Sequence, residues 1–160
     1  MSHPTLGLPP RSLLAGSPEG AARLRANRAP LAVRALEIAI DGDPTIRTRY
    51  DETGLRNLLS DAEVHVDRLA LCVAGNDSHW LTHFSDATAT VFRRRGVPMD
   101  DVVRLMEGLR AGARGLLSAD EMVAADAALD EAVTVYRWYR RISGDNRKRN
   151  RILDFLYKGI

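Results

Sequence analysis

Thiols are nearly absent from this 160-residue chain. Cys72 is alone, so no internal disulfide can form, and neither a structural zinc site nor a paired-cysteine redox motif can be assembled from thiolates. A reducing compartment is the expectation. Long apolar runs are missing too: none approaches the roughly 20 residues that cross a bilayer as a helix. Met1 to Arg11 carries Pro4, Pro9 and Pro10 without an apolar stretch behind a basic start, so it does not read as a secretory signal. Together these absences point to a soluble, cytoplasmic-type protein, at most peripheral at the cytoplasmic face of a membrane. No Gly-rich phosphate loop, nucleophile elbow or fixed-period repeat occurs, and no strand alternation competes with the helical periods. The chain is therefore not expected to be an enzyme, and no motif calls for a cofactor or a small-molecule substrate.

What is present suits one core. The composition is 45% hydrophobic and 28% charged, near the globular average, which disfavours both disorder and a membrane-embedded class. Charge is distributed unevenly. Residues 137–160 hold eight Arg or Lys against two acids, the stretch 51–136 holds fifteen acids against eight Arg, and the first fifty residues carry a net +3. An acidic body with basic ends is the pattern of a protein whose terminus meets an anionic partner, be it protein, lipid or nucleic acid.

Along the chain, residues 1–16 have no usable period and read as an irregular arm, followed by a helical domain over 17–144 and a basic amphipathic docking helix over 145–160. Ser17-Pro18-Glu19 is an N-cap with proline at the first helical position, and Pro30 interrupts or restarts that helix. A second helix uses Leu31, Ala35, Leu36 and Ile40 and stops at Asp41-Gly42; a short turn then ends near Tyr50. These short pieces are expected to wrap the main bundle. Leu55, Leu58, Leu59, Ala62, Val66, Leu69 and Val73 mark one long helix by their three- and four-residue steps. Trp80, Leu81, Phe84, Ala87, Thr88, Val91 and Phe92 are the expected buried stripe of the next, which stops at Arg93-Arg94-Arg95-Gly96. A third long helix turns Val102, Met106, Leu109, Ala113 and Leu116 inward, and its Gly108, Gly112 and Gly115 predict close helix approach or a flexible segment. Ser118-Ala119-Asp120-Glu121 is a capping box opening a fourth, through Met122, Leu129, Ala132, Val133, Tyr136 and Tyr139. The predicted fold is all-α, a four-helix up-and-down or globin-like bundle with short N-terminal helices and a basic C-terminal helix.

Three places carry potential chemistry. His65 falls on an apolar stripe with Asp61 one turn earlier, which suits an axial haem, bilin or corrin ligand oriented by a carboxylate. The plainer reading is a core histidine hydrogen-bonded to Asp61. His79 and His83 have the spacing of paired metal ligands, with Asp86 beyond them, yet Trp80 stands where a zincin has Glu, and a solvated pair is the plainer reading. Cys72, between Leu71 and Val73, reads as a small buried hydrophobe.

The stretches Arg49-Tyr50-Asp51-Glu52-Thr53-Gly54, Asp61 to Ala70 and Arg95-Gly96-Val97-Pro98 resemble a helical bacterial domain found beside cobalamin-binding and stress-signalling proteins, over about residues 45 to 135. That resemblance implies a sensory or regulatory role. The chain departs from the family pattern in having Leu81, Phe84 and Ala87 where an aromatic run is usual, and in its basic tail.

The tail is the most distinctive feature. Tyr136, Trp138 and Tyr139 interleave with Arg137, Arg140 and Arg141, and Arg147, Lys148, Arg149 and Arg151 follow beside Ile152, Phe155, Leu156 and Tyr157, a basic amphipathic surface suited to a partner groove or a membrane interface. The leading expectation is a non-enzymatic accessory subunit that docks by its termini onto protein partners in a larger assembly, for example a membrane-embedded photosynthetic or respiratory complex. The alternative is a sensory or regulatory domain with a cofactor near His65. Nucleic-acid binding ranks third, because the acidic body would repel a phosphate backbone.

Overall fold

A computed structural model of the chain describes residues 15–143. Among them are seven helices: α1 (Pro18–Ala26), α2 (Arg28–Gly42), α3 (Ile46–Arg49), α4 (Glu52–Gly75), α5 (His79–Arg94), α6 (Met99–Ala113) and α7 (Ala119–Ser143), with no strand. All but the last two residues of the arm over 1–16, and the whole docking helix over 145–160, lie outside the described residues.

Local chemistry accounts for most boundaries. The Ser17 hydroxyl accepts the Gly20 amide and the Asp51 carboxylate accepts that of Gly54, so α1 and α4 each begin on a side-chain cap. In the Ser118 capping box Glu121 accepts the Ser118 amide at 2.8 Å while the Ser118 hydroxyl accepts the Glu121 amide at 3.3 Å. Helix α4 closes on Asn76 in the left-handed conformation, φ 49°. The first break falls at Asn27 and not at Pro30, which sits in the first turn of α2, where a missing N–H leaves no helical bond unmade.

The helices pack as an all-α bundle in which α4 lies against α1, α2, α5 and α7, α7 against α5 and α6, and α6 against α2. The expectation of four long helices wrapped by short ones is corrected by α2. It has 15 residues, as many as α6, and buries Leu31, Ala32, Ala35, Leu36 and Ala39. Among the described residues, five helices of that length or more therefore share the core. The small residues of α6 explain how α2 fits. A Cβ on Gly108 would stand 2.4 Å from the Ala35 carbonyl oxygen, and one on Gly112 would stand 2.3 Å from Leu31 Cδ1. Contact with backbone at that range cannot be relieved by a rotamer change, so Gly108 sets the closeness of α2 and α6.

One predicted stripe is turned. In α5 the buried residues are Leu81, Ser85, Ala89 and Phe92, whereas Trp80 is 46% and Val91 37% exposed. The inward face contains a serine, and a hydrophobicity pattern passes over it in favour of the neighbouring tryptophan.

Candidate functional site

Among the described residues, two polar clusters and one helix end frame the candidate sites. The first cluster is inside the core. His65, fully buried on α4, has Nδ1 2.6 Å from the Asp61 main-chain carbonyl, an atom that can only accept, so Nδ1 carries the proton and donates. Nε2 is then left as an acceptor, and the buried Tyr136 hydroxyl of α7 donates to it at 2.7 Å. Phe84 and Phe92 of α5 close around the ring, the first edge-on with centroids 5.0 Å apart. Burial pushes the imidazole down to about 4 and lifts the Tyr136 phenol well above its usual range, so both groups are neutral near pH 7. The Ser85 hydroxyl, also buried, approaches the phenol closely enough to oppose part of that rise, but without the geometry of a full hydrogen bond.

This arrangement bears on the expected ligand pair His65 and Asp61. The Nε2 lone pair that would bind a metal is engaged by Tyr136, and the Asp61 carboxylate does not touch the imidazole. It receives two bonds from Arg95, at 3.1 and 3.0 Å, and Arg95 lies over the Phe92 ring. The pair is brought together, but through the Asp61 backbone: His65 acts as a polar bolt between α4 and α7, and Asp61 as an anchor for the end of α5. The plainer of the two sequence readings describes the contact, with the carbonyl in the carboxylate's place.

The second cluster joins α3 to the start of α6. Asp101, 3% exposed, accepts from Arg49 Nη2 at 2.5 Å, from Arg49 Nε at 3.2 Å and from the Tyr50 hydroxyl at 2.7 Å. Arg49 also reaches Asp43 at 3.0 Å and the Thr45 hydroxyl. Bonds from Thr45 and Arg49 hold the Asp43 carboxyl down at about 2, while burial beside Asp101 pushes the Tyr50 phenol up. Asp101 was not singled out in the sequence. An acid in the first turn of a helix is ordinary, and only the Arg-Tyr pair fifty residues earlier reveals its use.

Arg49, Tyr50, Asp61, His65 and Arg95, five of the polar residues in the three stretches on which the family resemblance rests, make contacts that assemble the bundle. No protein-family model and no curated protein matches the chain. Its functional reading therefore rests on its own geometry.

Elsewhere the candidates are plainer. His79 and His83 are exposed on α5 with rings stacked at 5.4 Å, and Asp86 accepts from the Tyr139 hydroxyl at 3.0 Å. Among the described residues no cluster of three or more His, Cys, Asp or Glu is placed to hold a metal ion. Cys72 is buried, and burial raises its thiol to about 11, which suits the small buried hydrophobe read from the sequence.

The third place is the far end of α7. Trp138 is 48% and Ile142 58% exposed, one helical turn apart, and Arg137, Arg140 and Arg141 are exposed among them. Arg140 meets Asp100 at 3.2 Å. Of the ten partner-binding residues expected from the sequence, Arg140 and Arg141 lie on this surface. Arg147, Lys148, Arg149, Arg151, Ile152, Phe155, Leu156 and Tyr157 lie outside the described residues. Trp138, which sequence reasoning counted only as an aromatic interleaved with arginines, is the largest exposed apolar group here, and its helical phase, two residues beyond the fully buried Tyr136, was the available signal.

Proposed function

We propose that the chain is a non-enzymatic accessory subunit that docks onto a larger protein assembly, with the outer end of α7 forming the described part of its docking surface. The observation that carries this reading is the exposure of Trp138 and Ile142 on one helical face, flanked by arginines. Tryptophan and arginine are the residue types that dominate binding hot spots, because each brings a large contact area together with a polar or cationic handle. Burying what is exposed of these two side chains is worth on the order of 5 kcal/mol at about 25 cal/mol per Å². The sensory alternative is less favoured, since both ring nitrogens of His65 are engaged inside the core.

The test is affinity purification of the tagged chain from its native cells, beside two altered forms: Trp138→Ala with Ile142→Ser, and a chain lacking residues 147–160. A stoichiometric protein partner that is lost with both changes supports the reading. Recovery of the same partner by both altered forms, or of the wild-type chain alone, overturns it.

A further inference from the structure

From the groove bordered by α2, α6 and α7 we infer the chemistry of the partner: the groove seats an acidic stretch of protein, carboxylates flanking an aliphatic side chain. This rests on the docking reading above. The groove encloses about 560 Å³, room for a few side chains, and lies along the same end of α7 that carries Trp138. Half-buried Ile38 of α2 and Val103 of α6 supply an aliphatic floor. Three arginines border it, Arg104 from α6 with Arg137 and Arg140 from α7, all exposed.

The acids in the same walls already have cations. Asp100 faces Arg140 at 3.2 Å, and Glu107 faces Arg110 at 2.9 Å. Arg104 is only loosely engaged, 3.9 Å from an Asp43 carboxylate that Arg49 holds at 3.0 Å, and 3.4 Å from the Gly42 carbonyl. Arg137 makes no ion pair or hydrogen bond among the described residues. Two guanidinium groups on facing walls are thus available above an apolar floor. A guanidinium binds a carboxylate through two parallel N–H donors, so this site favours a side chain of that shape over a diffuse negative charge. Concavity favours a protein segment over a lipid surface: a flat membrane would meet the rim without reaching Ile38 or Val103.

The experiment uses the full chain and a fluorescent peptide of sequence Glu-Glu-Leu-Glu-Glu, with Gln-Gln-Leu-Gln-Gln as its uncharged counterpart, followed by anisotropy. The expected result is binding of the acidic peptide at least tenfold tighter than that of the glutamine peptide, weakening as salt is raised. Arg137→Glu combined with Arg104→Glu should reduce it at least tenfold. Each of these arginines is exposed, so the double variant should keep the wild-type melting temperature within a few degrees, and Trp138→Ala serves as a second variant. Equal binding of the two peptides, no binding at millimolar concentration, or binding unchanged by the charge reversals overturns the inference. So does a preference for phosphatidylserine vesicles over the peptide, or self-association of the chain that the arginine substitutions abolish while the peptide does not bind. Should the native partner be lost with Trp138→Ala but retained by the arginine variant, this inference fails and the docking reading stands.

Discussion

Arg49 and Arg137 carry the same guanidinium in opposite circumstances. Arg49, with a side chain 19% exposed, is surrounded by Asp101, Asp43 and Thr45, and Asp101 is itself completed by Tyr50. Arg137 stands exposed beside Trp138 with no partner among the described residues. The contrast extends to the aromatic rings: Tyr136 is fully buried and donates to His65, whereas Trp138, two positions on, is nearly half exposed. Polar groups in the first region, Ser85 aside, are paired and bind helices to one another. In the second, Arg140 meets Asp100 while Arg137 remains available. Saturated polar clusters explain fold; unsaturated ones beside exposed aromatics are where a partner finds purchase.

The largest effect should come from breaking the saturated region. Asp101→Ala removes the acceptor of both Arg49 and Tyr50 and leaves a guanidinium half enclosed and a phenol unpaired, at a cost of about 3 kcal/mol. Urea unfolding monitored by circular dichroism should register that loss. A cost below about 1 kcal/mol would mean that this network is as dispensable as an ordinary surface pair, and the comparison would collapse.

Acid should act on the same region almost as strongly. His65 titrates near 6.5 when unfolded and near 4 when folded, because burial disfavours the imidazolium. Above pH 6.5 both states are neutral and the full stability is present. Between 6.5 and 4 the unfolded chain takes up a proton that the folded chain refuses, so stability falls as pH falls, by about 3 kcal/mol across that window. Below about 4.5 a further loss begins, as Glu121, held down to about 2 by bonds from Ser17 and Arg23, and Asp43 resist protonation in the folded state. The check is stability measured from pH 7.5 to 4.5 for the wild type and for His65→Gln, which should be less stable at neutral pH but should lose the slope. An equal slope in both proteins would assign it to other groups.

How much of this could be read beforehand follows from the same physics. Helices α4, α6 and α7 were legible because their inward residues are nearly all apolar and a capping box, a first-turn acid pair or a glycine stop marks their ends. The inward face of α5 was misplaced because Ser85 lies on it and Trp80 does not, and α2 was underrated because its buried face consists largely of alanines, whose contribution depends on the glycines of α6 that oppose it. His65 was legible as a core histidine near Asp61. That its second nitrogen belongs to Tyr136, seventy-one residues away, was not, and no more was the pairing of Arg49 with Asp101. Long-range polar partners leave no period in a sequence. The exposed end of α7 was foreseen in its interleaved arginines and aromatics; that Trp138 is the exposed aromatic and Tyr136 the buried one is a matter of helical phase.

The smallest predicted effect is the sharpest test of the contrast. Arg137→Ala and Trp138→Ala should each change unfolding free energy by no more than about 0.5 kcal/mol, since substitutions at exposed positions outside hydrogen-bonded networks rarely do more. Trp138 is the harder case, because its ring meets Tyr139 edge-on at 4.9 Å, and Tyr139 in turn donates to Asp86 of α5. If that stack served the bundle, Trp138→Ala would loosen α7 from α5 and cost 1 kcal/mol or more in urea unfolding. A cost under 0.5 kcal/mol, combined with loss of the native partner, would separate the two regions completely: one that the fold cannot do without, and one that the fold does not use.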